Sequence, residues 1–181
     1  KMSKERIIAE TAVLLQDNLG AIFSGQSESG SRSLCFRSII ANPIKNKIKD
    51  LLNQKIKFRE NWRPFGISIM ADHANDYLKI NHSNPHMMMA YDVKDEKHEF
   101  LKNVIHVDKT SRPQFVYKDK YEDLYLLIQK FYEITGCPAI INTSLNIKGE
   151  PIVENPRDAI KCFMGTSLDF MILNFKYLIR K

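Results

Sequence analysis

Apolar residues recur at helical spacing in some stretches of this chain and in short unbroken runs in others. Ile8, Ala12, Leu15 and Leu19 share one face of a helix predicted over residues 4–19, with Gly20 as its cap. Residues 44–54 repeat the spacing with Ile44, Ile48, Leu51 and Leu52. The broadest apolar face lies over 121–135, where Leu124, Leu127, Ile128 and Phe131 line up and Gly136 follows. Asn155-Pro156 reads as the N-cap and first-turn proline of a helix reaching Met164. A short helix is predicted over 71–78. Strands are predicted over 21–24, 37–41, 65–70, 104–107, 112–117, 170–173 and 176–179. A further one, over 86–93, carries Met87, Met88 and Met89 as core filler. In 55–59, Lys55, Lys57 and Arg59 alternate with Ile56 and Phe58, which predicts an extended segment with its cations on one side. Strands and helices sharing one core indicate an α/β domain.

One stretch organises the rest. The apolar run 138–141 ends abruptly in Asn142-Thr143-Ser144-Leu145-Asn146-Ile147-Lys148-Gly149-Glu150-Pro151. This pattern reads as a buried strand opening into a loop at its carboxyl end, where open α/β sheets bind ligands. A polar turn between two strands is the plain alternative.

Composition narrows the ligand. The chain has 181 residues, enough for one domain with a real core. The excess of 27 Lys and Arg over 21 Asp and Glu gives a net charge of +6, spread without a basic block. It favours nucleotide, phosphate or nucleic acid and does not choose among them. Cys35, Cys137 and Cys162 are far apart and form no metal-ligand spacing, which suggests reduced, buried thiols and a cytoplasmic setting. No apolar run is long enough to span a bilayer and no signal peptide is visible, so no membrane partner is expected. His73 lacks any partner at metal spacing, and no protein-held metal is expected.

Three more stretches carry candidate chemistry. Residues 25–34 form a Gly/Ser-rich segment that allows close backbone approach to a phosphate, with Arg32 inside it and Arg37 beyond; a surface loop with solvated arginines is the alternative. The cations of 55–63 suit a triphosphate or protect an edge strand. His106 and Asp108 stand two apart and share a face if extended, either as an oriented imidazole or as a pair holding a turn.

These four stretches together resemble the C-terminal part of the O-carbamoyltransferases related to the nodulation protein NodU, the cephamycin enzyme CmcH and the tobramycin enzyme TobZ. The family run Gly-Arg-Met-Glu-Phe-Gly-Pro-Arg-Ala-Leu-Gly corresponds to residues 25–35. Its Lys-x-Arg-Glu-x-x-Arg-Pro-Phe run is met by Lys57, Arg59, Glu60, Arg63, Pro64 and Phe65. Its His-Val-Asp-Gly-Thr-x-Arg-x-Gln run is met by His106, Val107, Asp108, Thr110, Arg112 and Gln114. Asn142 to Pro151 meet its Asn-Thr-Ser-Phe-Asn-x-Arg-Gly-Glu-Pro run. Departures fall at Ser31 (family Pro), Cys35 and Lys109 (family Gly), Gly66-Ile67 (family Ala-Pro) and Lys148 (family Arg), which keeps charge but loses bidentate geometry.

The resemblance implies a YrdC-like fold over 1–181, a twisted mixed sheet flanked by helices with a basic concave face. It implies that this domain binds ATP, with magnesium, and carbamoyl phosphate, and forms carbamoyl-adenylate. A preceding transferase domain, outside this chain and carrying iron, would move the carbamoyl group to the hydroxyl of a small molecule or saccharide. Arg32, Lys57, Arg63, Arg112 and Ser144 are carried over as principal phosphate contacts, with Lys57, Arg63 and Arg112 as the catalytic set. Arg37, Arg59, Asn142, Asn146 and Lys148 form a second rank, while His106 and Asp108 shape the site. Neutralising charge around attack on a phosphorus atom is the work such residues can do. The competing reading is a non-catalytic RNA-binding module, which the net charge would suit. Such a surface should interleave stacking aromatics with its cations, and only Trp62 and Phe65 offer themselves, so nucleic acid is disfavoured.

Overall fold

The computed structural model describes residues 2–30, 32–82 and 84–181. Helix α1 (Lys4–Leu15) begins at Ser3, whose hydroxyl accepts the Arg6 N–H at 3.3 Å. It stops a turn earlier than its apolar spacing suggests, because Gly20 opens strand β1 (Gly20–Phe23) instead of capping the helix. Strand β2 (Arg37–Ala41) runs antiparallel to β1. Helix α2 (Ile48–Leu52) then continues as a π-helical turn, Asn53–Lys57. The extended segment predicted over 55–59 is therefore helical, and Phe58 at φ 45° ends it. Alternation over five residues cannot distinguish these two outcomes.

Strand β3 (Gly66–Met70) leads to a single 3-10 turn, Ala74–Asp76, where a short helix was expected. The methionine-rich strand shrinks to β4 (Tyr91–Asp92), and 104–107 forms no strand at all. Met87 is buried, but Met88 is 61% exposed, so the three methionines are not a core strand. Strands β5 (Thr110–Ser111) and β6 (Pro113–Val116) follow. Helix α3 (Glu122–Thr135) ends as its sequence predicts, on Gly136 at φ 72°, whose N–H reaches the Tyr132 carbonyl. Strand β7 (Ala139–Ser144) runs three residues past the apolar stretch. Helix α4 (Pro156–Met164) starts from a reciprocal cap, with Asn155 accepting the Asp158 N–H at 3.0 Å and Asp158 turned back to the Asn155 N–H. Strands β8 (Phe170–Leu173) and β9 (Tyr177–Arg180) close the chain.

Seven strands form one mixed sheet in the order β6-β3-β7-β2-β1-β8-β9, and β4 pairs with β5 beside it. Helix α1 packs on α3, which also rests on β3 and β7. Their buried side chains, with Ile39, Ile67, Ile69 and Ile141, make the core. No helix among the described residues is long and apolar enough to cross a membrane.

The register sets up the site. Strand β7 lies between β2 and β3, with Asn142 opposite both Ile40 and Gly66, and Ser144 opposite Ser38. Ser68 of β3 lies opposite Gln114 of β6. Because side chains alternate across a strand, Ser38, Ser68, Gln114, Asn142 and Ser144 share one face. A polar patch inside a buried sheet needs internal partners, and it finds them in the loop that covers it.

Candidate functional site

Two adjoining cavities open at the carboxyl end of β7. The larger, about 400 Å³, is walled by Arg32, Arg59, Arg63, His106 and Arg112, with Asn142 and Ser144 also lining it. The smaller, about 270 Å³, is lined by Lys57, Phe58, Asn146 and Lys148. Arg59, Arg63, Thr143 and Ser144 belong to both. Nine of the ten side chains carried over as phosphate contacts thus converge on one region, with His106 beside them.

Arg37 is the exception. Its guanidinium lies 3.7 Å over the Phe23 ring and donates to the carbonyls of Ser24, Phe36, Gly25 and Glu154. Burial pushes its pKa down, and it lines neither cavity. It holds the loop between β1 and β2, and it leaves the set of phosphate contacts.

The remaining cations differ in how far their donors are used. Lys57 is 8% exposed. Its ammonium faces the Ser144 carbonyl, Ser144 Oγ at 3.2 Å, Asn146 Oδ1 at 2.8 Å and the Asn146 carbonyl at 3.4 Å. Three N–H bonds meet four oxygens, so the turn after β7 consumes its donors. Burial, and then the charge of Arg59, push its pKa down to about 7. Arg59 donates from Nε to Asn53 Oδ1 at 2.7 Å and stacks on Phe65. Burial and the neighbouring Arg63 bring it down to about 10. Arg63 is half-exposed and meets Glu60 only at 3.9 Å. Arg112 lines the larger cavity with a buried Nε that has no partner. Burial, then Arg32, lowers its pKa. Arg32 and Lys148 are exposed at the walls.

Sequence reasoning missed the group that shapes the first loop. Glu28 Oε1 accepts the backbone N–H groups of Leu34 at 2.8 Å, Phe36 at 2.8 Å and Arg37 at 3.0 Å. This one oxygen draws the chain around Arg32 and Ser33 into a closed turn. The only signal was that Glu28 keeps the glutamate of the family run. Beneath the loop, Asn142 Nδ2 donates to the Ser33 carbonyl, Ser68 Oγ and Gln114 Oε1, each at 3.0 Å. Gln114 Nε2 donates to the Leu34 carbonyl at 3.1 Å. Here the floor of the cavity and the loop above it are one network.

His106 lines the larger cavity, and burial is the main cause lowering its pKa. Asp108 is exposed and spends Oδ1 on the N–H and hydroxyl of Thr110, at 3.0 and 2.7 Å. The pair therefore sits in a turn and not on a strand. At two departures the backbone shows why the family runs carry glycine: Cys35 at φ 69° and Lys109 at φ 68° occupy the left-handed region that glycine adopts without strain. Trp62 is 70% exposed at the rim and Phe65 is buried, while Phe58, expected on the apolar side of an extended segment, is 55% exposed. Among the described residues, no three His, Cys, Asp or Glu side chains stand close enough to hold a metal ion.

Known proteins resemble this chain in sequence and in fold. A nodulation protein NolNO of Sinorhizobium fredii is 38% identical over 160 residues, which cover 87% of this chain and 23% of that protein. An uncharacterised protein of Methanocaldococcus jannaschii is 39% identical over 180 residues, 98% of this chain and 34% of its own length. The chain spans about a quarter to a third of the curated relatives it matches. Among solved structures, full-length HypF in its phosphate- and nucleotide-bound form superposes with a TM-score of 0.67 at 18% identity, over 92% of this chain and 24% of that one. Sua5 of P. abyssi complexed with L-threonine gives 0.64 at 15% identity, over 96% and 48%. These likenesses bear out the YrdC-like α/β fold. The family model described as "Carbamoyltransferase C-terminus" matches residues 11–181, and the chain belongs to that family.

Proposed function

We propose that the paired cavities bind carbamoyl phosphate and ATP and make carbamoyl-adenylate. The observation that carries this reading is the convergence of Arg32, Arg59, Arg63 and Arg112 on connected cavities at a strand end, with Arg59 and Arg63 shared between them. Cleavage of carbamoyl phosphate by water gives carbamate and inorganic phosphate. A carbamate oxygen then attacks the α-phosphorus of ATP, the bond to the β-phosphate oxygen breaks, and pyrophosphate leaves. Both steps crowd negative charge, and fixed guanidinium donors stabilise it without reorganising. Arg63 and Arg112 contact the phosphates, joined by Arg32 and Lys148 from the walls. Ser144 lies where the cavities meet, its hydroxyl donating to Asn146 Oδ1 at 2.7 Å and accepting from Lys57. Lys57 and Asn146 hold the Ser144 turn, so they act through position. Magnesium arrives on the triphosphate. The two solved relatives, one bound to phosphate and nucleotide, support the ligand class.

The rest of the reaction belongs to a longer protein. Relatives three to four times the length of this segment support a further domain; the family resemblance makes it a preceding one that carries iron and passes the carbamoyl group to an acceptor hydroxyl.

Calorimetric titration with ATP and with carbamoyl phosphate at two salt concentrations, beside a short duplex RNA, tests the reading. Saturable binding of both small ligands that disappears in Arg112→Ala is the expected result. Salt-steep RNA binding with no heat from either small ligand would replace it with the RNA-binding module.

A further inference from the structure

The floor of the larger cavity contains one acceptor that the protein leaves unused. Asn142 is 2% exposed and lines that cavity. Two carbonyl oxygens fix which way its amide faces. The Ser33 carbonyl stands 3.0 Å from Nδ2 and can only accept. Gln114 has its Nε2 committed to the Leu34 carbonyl, so it turns Oε1 toward Asn142 Nδ2, also at 3.0 Å. Turning the Asn142 amide over would set Oδ1 against both oxygens. Ser68 Oγ gives its proton to Gln114 Oε1 at 2.6 Å and accepts from Asn142 Nδ2 at 3.0 Å. Nδ2 is therefore spent, and Oδ1 is buried without a partner.

A buried acceptor left unmet is destabilising, and a ligand that brings a donor relieves it. Phosphate oxygens are acceptors and cannot do so. The arginine walls take the anion, so the ligand that satisfies the whole cavity carries an anionic group and, close to it, an N–H. Carbamoyl phosphate has both: its amine sits on the carbon that bears the phosphate ester oxygen. The donors of ATP stand farther from its phosphates: three ribose carbons separate the 5′-oxygen from the nearest hydroxyl, and the adenine amine lies beyond the ribose. We propose that Asn142 is the specificity-determining residue for the carbamoyl group, accepting an N–H of the ligand at Oδ1 and so rejecting acyl phosphates that lack one. Ser68 and Gln114 are positioning residues that keep this oxygen presented. The proposal rests on the reading of the cavity as a carbamoyl-phosphate site, and it removes Asn142 from the phosphate contacts.

The test is calorimetric titration of the chain with three ligands: carbamoyl phosphate, acetyl phosphate, in which a methyl replaces the amine, and N,N-dimethylcarbamoyl phosphate, which keeps the nitrogen but has no N–H. Carbamoyl phosphate should bind about tenfold to a hundredfold more tightly than the other two. In Asn142→Ala that ratio should fall toward one, while inorganic pyrophosphate binds as before. Should Asn142→Ala fail to fold, the three-ligand ratio in the unaltered chain still decides. Equal affinity for all three overturns the role of Asn142 and leaves the cavity reading standing. A preference that survives in a folded Asn142→Ala overturns it too. No binding of carbamoyl phosphate overturns the cavity reading and this inference together.

Discussion

Arg37, just beyond the first family-like run, and Arg112, within the third, do opposite jobs. Arg37 has its two terminal amino groups on four carbonyls and a ring beneath its plane. Both leave a buried Nε unmet, but Arg112 faces the larger cavity and its terminal amino groups meet no acceptor among the described residues. The difference between them is unspent hydrogen-bonding capacity. A cation whose donors are satisfied by backbone stabilises the fold, whereas one with spare donors is prepared for a ligand. Lys57 stands near the first type, Arg63 and Arg32 near the second.

The contrast can be broken most forcefully at Arg37. Arg37→Ala takes the guanidinium from four carbonyls, of which Phe36 alone keeps a backbone donor at Ser24, and removes the stack on Phe23, so stability should fall by roughly 3 kcal/mol, read from urea unfolding. Equal stability would make Arg37 a surface cation like the rest. Arg112→Ala should do the reverse. Affinity for carbamoyl phosphate and ATP should drop about a hundredfold, with the melting temperature within about 2 °C of the parent. A large loss of stability there would erase the distinction.

Lys57 sharpens the comparison through pH. In the unfolded chain it titrates near its ordinary 10.5, and in the folded chain burial lowers it to about 7. Between these values the unfolded state binds more protons, so the contribution of this group to stability rises with pH across that window. Lys57→Met should flatten that rise, as measured by denaturation at pH 7 and pH 10. An unchanged slope would mean the ammonium is not the source. The smallest effect is expected at Lys109, an exposed residue at φ 68°. Lys109→Gly relieves the left-handed strain and should stabilise the chain by about 0.5 to 1 kcal/mol in the same assay.

Much of the framework was legible because it rests on local rules. The apolar face of α3 with Gly136 behind it, and the Asn155-Pro156 start of α4, are short-range signals that the structure obeys. Strand β7 was legible as a run, yet its end was misplaced. Asn142 and Ser144 look like loop residues in sequence, because nothing local says that a buried network will receive them. The π-helical turn at 53–57 was misread for a related reason: alternation of charge and apolar side chains suits a strand, but α2 had already set the direction of the backbone. The convergence of the cations came from the resemblance and not from spacing. The roles of Glu28 and of the Asn142 oxygen were out of reach, since each depends on partners distant in sequence or on which way an amide faces.

Cys35 offers a use beyond the cavity. Its thiol sits 3.2 Å from Ser68 Oγ in the floor network, and burial pushes its pKa up to about 12. Cys137 is likewise pushed up to about 12, and Cys162, on the buried face of α4, is also raised. Thiol reagents attack the thiolate, so the folded chain should resist alkylation at all three. Each cysteine then becomes a built-in clock for the opening of its own region. If Cys35 labels at the same rate as the other two, the floor opens only when the whole domain unfolds; if it labels sooner, the ligand site breathes by itself.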